Sequence, residues 1–165
     1  MNYEKILTSD TDAIKELSDL ATEIVKEHFD PIIGAAQNDY MIEKFQSVPA
    51  ITQQLENGYQ YYLVRDITGK KVGFLAFYPR GNELYLSKMY LHKTKRGQGI
   101  AKDMLQFVIG QAQEDGLASI VLNVNKNNNA IGAYEKLGFK KIKEEKKDIG
   151  DGFFMDDFIY EYLIK

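Results

Sequence analysis

The sequence predicts an α/β (α+β) chain of about seven strands and four or so helices, and three observations predict it. Residues 59–92 hold three runs rich in apolar and aromatic residues, separated by short turn segments. Residues 83–125 read as a strand, a glycine-bearing turn, an amphipathic helix and a second strand. Residues 140–164 hold two more strand runs around an Asp/Gly-rich turn.

Each element has its own signal. A first strand covers about Asn2 to Leu7, and Ser9-Asp10-Thr11-Asp12 then marks a helix start with Ser9 and Asp12 at capping-box spacing. Ile14, Leu17, Ala21, Ile24, Val25 and His28 follow helical periodicity. Between Pro31 and Glu56 the pattern predicts one or two short helices, around Tyr40 to Phe45 and Ile51 to Leu55, with limits set by Gly34 and Pro49. Tyr59 to Arg65 and Val72 to Tyr78 are strands joined by the turn Asp66-Ile67-Thr68-Gly69-Lys70; Pro79-Arg80-Gly81-Asn82 leads into the strand Glu83 to His92. Short connections between these three strands imply an antiparallel meander.

In the next helix Ala101, Met104, Leu105, Val108, Ile109 and Ala112 recur at offsets of three and four and share one face. Ala118 to Asn125 alternates as a strand. The Asn run after it supplies a cap, and Ala130, Ile131, Tyr134 and Leu137 line a short helix that stops at Gly138. Lys140 to Lys147 and Phe153 to Ile164 form the closing pair, joined by Asp148-Ile149-Gly150-Asp151-Gly152.

Composition narrows the function. A chain of 165 residues without repeats or low-complexity linkers reads as a single domain, 1–165. It has no cysteine, which removes thiolate chemistry, and its two histidines, His28 and His92, lack metal-ligand spacing, so no metal is expected. A net charge of −3 and a pI near 5.5 argue against nucleic acid as a partner. No apolar run approaches membrane-span length, and the N-terminal residues lack the layout of a signal peptide; the expectation is a cytoplasmic protein with no membrane partner.

The segment Lys93-Thr-Lys-Arg-Gly-Gln-Gly-Ile-Ala101 suits phosphate. It opens a helix, so unpaired first-turn N–H groups and the positive end of the helix dipole point into the turn. Gly97 and Gly99 let a pyrophosphate approach the backbone, and Lys93, Lys95 and Arg96 add positive charge. A Rossmann fingerprint fails because Lys102 stands where the third glycine is needed, and no Walker Gly-Lys-Ser/Thr occurs.

Arg96-Gly97-Gln98-Gly99-Ile100-Ala101 instead matches [Q/R]-x-x-G-x-[G/A], and residues 127–139, NNNAIGAYEKLGF, match N-x-x-A-x-x-x-Y-x-K-x-G-F in the same order along the chain. On these motifs, and on an element order that agrees over essentially its whole length, the chain resembles the GNAT superfamily of acetyl-CoA-dependent N-acetyltransferases. The resemblance implies a mixed, mostly antiparallel sheet whose two central strands, residues 83–92 and 118–125, splay apart around the pantetheine arm. It implies acetyl-CoA as co-substrate, with the backbone of Met89, Tyr90 and Leu91 pairing with the pantetheine amides. Arg96, Gly97, Gln98, Gly99, Ile100, Ala101 and Lys102 would hold the pyrophosphate, and Asn127 would face the coenzyme. Tyr134 would touch the coenzyme and serve the departing thiolate. The closing segment DIGDGFFMDDFIY, together with the Tyr134 motif, is similar to that of a bacterial subgroup that includes polyamine (spermidine/spermine) acetyltransferases, so the acceptor side would include Asp156 and Asp157; aromatics such as Phe29, Tyr40 and Phe45 either wall the acceptor pocket or pack in the core.

The chemistry narrows the mechanism. A protonated alkylamine, with a pKa of about 10, has no lone pair, so a proton must leave before or during attack on the thioester. With no cysteine to carry an acyl group, direct attack in a ternary complex is expected. Relatives often carry a Glu on the strand before the phosphate turn; here that strand offers Tyr85, Ser87 and Lys88, with Glu83 at its start, and the base is unassigned. Asp156 and Asp157 suit a cationic small-molecule amine, although paired acids also guard sheet edges. A peptide or ribosomal-protein N-terminal acetyltransferase and a non-catalytic acyl-CoA-binding regulator are the alternatives. Either a monomer or a homodimer accommodates the reading.

Overall fold

The computed structural model describes residues 1–164. Its strands form one seven-stranded sheet in the order β1-β2-β3-β4-β5-β7-β6, with β1 Asn2–Lys5, β2 Gln60–Arg65, β3 Lys71–Arg80, β4 Glu83–Leu91, β5 Ser119–Asn125, β6 Lys140–Gly150 and β7 Phe153–Leu163. Five α-helices accompany it: α1 Thr11–Ile33, α2 Ala35–Gln46, α3 Val48–Glu56, α4 Ile100–Glu114 and α5 Ile131–Leu137. The expected strands and helices are present in the expected order. Two compact units divide the chain: Met1–Tyr78 with Lys88–Met104, and Pro79–Ser87 with the chain from Leu105 onward.

In the first unit, β1 pairs antiparallel with β2 and β2 antiparallel with β3. Ile14, Leu17, Ala21, Ile24 and Val25 of α1 are buried against Ile42 of α2, Ile51 of α3, and Tyr61, Leu63, Phe74 and Ala76 of the sheet. The helix starts differently from the expected capping box. Asp10 is the N-cap, its Oδ1 accepting the Ala13 N–H at 3.0 Å, because the chain turns one residue later than the Ser9–Asp12 spacing suggested. Gly34 separates α1 from α2 at φ 87°, a left-handed value that favours glycine, and Ser47 caps α3 with Pro49 in its first turn. The two sequence breakers therefore mark boundaries between longer helices than the apolar periodicity alone outlined.

Gly73 on β3 answers to close approach. A Cβ there would lie 2.3 Å from the Tyr90 carbonyl oxygen, so any side chain would push β4 away from its neighbour.

In the second unit the start of β4 pairs parallel with β5 over Glu83↔Ser119, Leu84↔Ile120 and Tyr85↔Val121. This parallel ladder covers three residues of each strand. β5 pairs antiparallel with β7 along its whole length, and β7 pairs antiparallel with β6. The β6–β7 hairpin closes through Gly150, Asp151 and Gly152, all at positive φ. Gly138 ends α5 at φ 107°, as expected; a Cβ there would meet the Tyr162 ring at 3.1 Å.

Candidate active site

The first unit carries the phosphate turn. β4 ends at Leu91, a single 3-10 turn spans Lys93–Lys95, and α4 begins at Ile100, leaving residues 96–99 as an exposed turn. Gly97 and Gly99 have φ of 77° and 79°, and a Cβ on either would meet no protein atom within 4 Å. These glycines are therefore required by backbone conformation, and the open space above them is what a bound anion needs. Asp103 N–H already bonds the Gly99 carbonyl at 3.2 Å, so the N–H groups of Ile100, Ala101 and Lys102 are the ones whose helical partners are missing.

Two of the three cations named around the turn are already paired. Lys93 Nζ lies 2.6 Å from Glu27, and Lys95 Nζ lies 3.7 Å from Asp66. Arg96 and Lys102 make no ion pair with a described residue, and Arg96 donates to the Leu91 carbonyl at 3.3 Å. The residues fit a pyrophosphate through backbone N–H groups plus these two cations. Of the strand residues expected to bind pantetheine, Met89 and Tyr90 are half-buried and Leu91 is buried. Tyr90 packs on Phe74 and Phe29, so Phe29 is a partner of the core in this structure.

Lys88, also on β4, is the residue whose situation the sequence did not disclose. It is 5% exposed, and its Nζ faces the Phe45 carbonyl at 2.6 Å, Gln46 Oε1 at 2.9 Å, Gln54 Oε1 at 3.1 Å and the Tyr61 hydroxyl. Burial pulls its pKa down to about 7, with no carboxylate to oppose the effect. Surrounded by acceptors that use its three donors, it ties α2, α3, β2 and β4 together; its lone pair is not presented to a substrate.

Tyr134 and Asn127 belong to the second unit. Tyr134 lies on α5, its ring edge-on to Phe139 at 5.7 Å, and Phe139 packs on Tyr162 of β7. Its hydroxyl has no hydrogen-bond partner among the described residues, and desolvation pushes its pKa up to about 12. It keeps its proton at neutral pH and is a donor without a task inside the protein. Asn127 is exposed in the turn after β5, where its N–H bonds Asn125 Oδ1 at 2.9 Å. The Asn run does not cap α5 by side chain; Asn128 Oδ1 instead accepts the Ala130 N–H at 2.9 Å and shapes the turn before the helix.

Asp156 and Asp157 point to opposite faces of β7, as neighbours on a strand must. Asp156 is half exposed and pairs with Lys126 at 3.1 Å. Asp157 is 4% exposed, accepts a hydrogen bond from Asn123 Nδ2 at 3.3 Å, and Asn123 Oδ1 accepts one from the Tyr85 hydroxyl at 2.9 Å. Burial pushes the Asp157 pKa up to about 6; the Asn123 hydrogen bond works the other way, and the charges of Glu145 and Asp156 add to the rise. A polar Asn inside the apolar strand SIVLNVN was the signal that could have found this cluster.

Comparisons with known proteins agree with this architecture. The family model described as acetyltransferase (GNAT) domain matches residues 22–154. N-acetyltransferase family 8 member 2 of Rattus norvegicus is 31% identical over 98 residues, 55% of this chain and 43% of that protein. GCN5-related N-acetyltransferase 6, chloroplastic, of Arabidopsis thaliana is 33% identical over 79 residues, 47% of this chain and 26% of that protein. The matches thus span less than half the length of these curated relatives. Among solved structures, the PaiA N-acetyltransferase of Thermoplasma acidophilum in complex with coenzyme A superposes with a TM-score of 0.77 at 20% identity, covering 99% of both chains. The ribosomal-protein-S18-alanine N-acetyltransferase of Escherichia coli gives 0.67 at 18% identity, covering 99% of this chain and 94% of that one. At these identities the likeness is one of fold. With four fifths of its length matched by the family model, the chain belongs to the GNAT acetyltransferase family.

Proposed function

We propose that residues 1–165 act as one acyltransferase domain that moves an acetyl group from acetyl-CoA to the primary amine of a cationic small molecule, by direct attack in a ternary complex. The observation that carries this reading is the exposed Arg96–Gly99 turn, with two left-handed glycines opening α4 and with Arg96 and Lys102 in no ion pair with a described residue. Pyrophosphate would take the N–H groups of Ile100, Ala101 and Lys102 together with the turn residues Gly97, Gln98 and Gly99, and the pantetheine amides would pair with the backbone of Met89, Tyr90 and Leu91. Asn127 would add a contact to the coenzyme.

Tyr134 would serve the leaving group. As the carbon–sulfur bond breaks, negative charge collects on sulfur, and a hydroxyl that holds its proton at neutral pH and has no partner among the described residues can donate to it. Absence of cysteine supports direct attack. On the acceptor side, Asp157 would meet the ammonium. It is a buried carboxyl whose acting charges are other acids, and a cation is the ligand that such a field favours. Asp156, paired with Lys126, would not.

The test is thiol release from acetyl-CoA in the presence of spermidine, spermine, a monoamine and an alanine-terminated peptide. Turnover with the polycations, with a KM that rises with salt, is the expected result. Preference for the peptide would transfer the reading to an N-terminal acetyltransferase, and coenzyme binding without any thiol release would point to a regulator.

A further inference from the structure

We propose that Glu27 of α1 and Asp66 of the β2–β3 turn are positioning residues for the coenzyme: by holding Lys93 and Lys95 they fix the chain ahead of the phosphate turn, so that the N–H groups opening α4 are aimed before a ligand arrives. The inference rests on the coenzyme reading above and deepens it, by giving a role to acids that lie beside an anion site and by charge alone would oppose it. All the residues concerned belong to the first unit.

Residues 92–95 are tied from two sides. On α1, Glu23 and Glu27 stand one helical turn apart. Glu23 Oε1 lies 3.3 Å from His92 Nε2, and Glu27 Oε1 lies 2.6 Å from Lys93 Nζ. From the β2–β3 turn, Asp66 Oδ2 lies 3.7 Å from Lys95 Nζ. Asp66 is itself held: its Oδ1 accepts from the Thr68 N–H at 2.9 Å, the Thr68 hydroxyl at 2.6 Å and the Lys70 N–H at 3.0 Å, which leaves Oδ2 for the lysine.

Chemistry orients the contact with Glu23. A carboxylate only accepts hydrogen bonds, so His92 Nε2 carries the proton toward it, and Nδ1 of the neutral ring accepts from Thr94, whose hydroxyl lies at 2.9 Å and N–H at 3.4 Å. The ring thereby caps the 3-10 turn Lys93–Lys95. The Lys95 N–H bonds the His92 carbonyl at 2.9 Å, the Arg96 N–H bonds the Lys93 carbonyl at 3.3 Å, and Gln98 Nε2 reaches back to the Thr94 carbonyl at 3.3 Å. Gly97 and Gly99 lie between this braced segment and α4. Glycine allows their left-handed backbone without stiffening it, so the direction of the turn depends on both flanks being held.

The acids stand where charge and geometry pull ligand affinity in opposite directions. The hydrogen bond from Lys93 holds the Glu27 carboxyl below its ordinary pKa; the charges of Lys93, His92 and Arg96 act the same way, and desolvation opposes them. Glu27 is therefore a carboxylate within the cationic field that a phosphate would use, and its removal would strengthen that field. Removal would also loosen the turn. Geometry wins because several N–H groups share one anion, so a small rotation of the turn weakens all of them together, whereas one exposed charge acts on the anion through screening solvent.

Isothermal titration of the full chain with acetyl-CoA and, separately, with inorganic pyrophosphate tests this on Glu27→Gln, Asp66→Asn and Lys93→Gln, each beside a melting curve. Glu27→Gln and Asp66→Asn keep the side chain's shape and an acceptor oxygen while removing its charge. Each of the three should weaken both ligands by about two- to fivefold, and Glu27→Gln combined with Asp66→Asn by about tenfold. Glu27→Gln combined with Lys93→Gln should lose no more than either change alone, because the two side chains form one contact. In steady state KM for acetyl-CoA should rise while kcat at saturating coenzyme holds, a split that a general loss of fold would not give. Tighter or unchanged binding in Glu27→Gln overturns the proposal and makes the acid a simple counter-charge. Opposite signs in Glu27→Gln and Lys93→Gln overturn it as well and give Lys93 a direct phosphate contact, and so does a loss of affinity that tracks a falling melting temperature. All of these leave the coenzyme reading intact, whereas a wild-type chain that binds neither ligand strikes that reading and this proposal with it.

Discussion

The Arg96–Gly99 turn and the Tyr85–Asn123–Asp157 cluster are built in opposite ways. The turn is exposed, local and made of backbone: two glycines at φ near 80°, a helix start, and cations only six residues apart in sequence. The cluster is buried at Asp157 and half-buried at Tyr85 and Asn123, non-local, and made of side chains from three strands, 38 and 34 residues apart. A turn of that kind would bind through backbone N–H groups and charge, which suit a pyrophosphate whatever else the ligand carries. A cluster set by strand register can be retuned one residue at a time, and it is where acceptor choice would reside.

Tyr134 tests whether the locally specified part of the site carries chemistry. Its position follows from the short helix α5 and its Gly138 stop, and its hydroxyl has no partner among the described residues, so Tyr134→Phe removes no hydrogen bond to any of them. The fold and acetyl-CoA affinity should hold while kcat falls by about 10² to 10⁴-fold. Normal turnover, or a melting temperature that drops in step with activity, would reduce Tyr134 to a packing partner of Phe139.

The turn itself comes next in size. Gly99→Val places a β-branched residue at φ 79°, which its backbone does not tolerate, and should cost at least about a hundredfold in acetyl-CoA affinity. Arg96→Ala removes one charge-assisted contact from several and should cost about tenfold, near 1.5 kcal/mol. Isothermal titration measures both. Equal losses would mean that side-chain charge, more than backbone shape, holds the phosphates, and the contrast with the buried cluster would weaken.

The same contrast explains what could be read from the chain. Apolar periodicity located the strands and α4, and Gly97, Gly99 and Gly138 named turns because each needs a conformation that glycine favours. Such signals lie within a few consecutive residues. The cap at Asp10 was misplaced by one residue, since Ser9, Asp10 and Asp12 offer equivalent side-chain oxygens and only the path of the chain selects among them. In sequence Lys88 is only one of the polar residues that β4 offers; its four acceptors come from residues 45, 46, 54 and 61, and no pattern within β4 announces them. Asp156 and Asp157 are indistinguishable as letters. Alternation says that they differ, and only the register with β5 and β6 says which one is buried beside Asn123 and which meets Lys126.

That pair gives the smallest and most discriminating prediction, one of sign. Asp157 has a folded-state pKa raised to about 6 from 3.8, so between those values the folded protein binds more protons than the unfolded chain. Its contribution to stability therefore falls as pH rises from about 4 through about 6, and above that window the buried carboxylate is a standing cost. Asp157→Asn should be more stable than wild type at pH 7 to 8 by about 1 to 2 kcal/mol, a rise of several degrees in Tm, and the gain should vanish below about pH 4. Asp156→Asn loses a partly exposed ion pair with Lys126 and should be less stable by under about 1 kcal/mol, an effect that salt removes. Thermal melts across pH and salt measure both. A stability gain bought by removing an acid that costs activity would mark Asp157 as a residue kept for chemistry, whereas losses of the same sign in both variants would make the two acids equivalent and return Asp157 to the structural frame of the sheet.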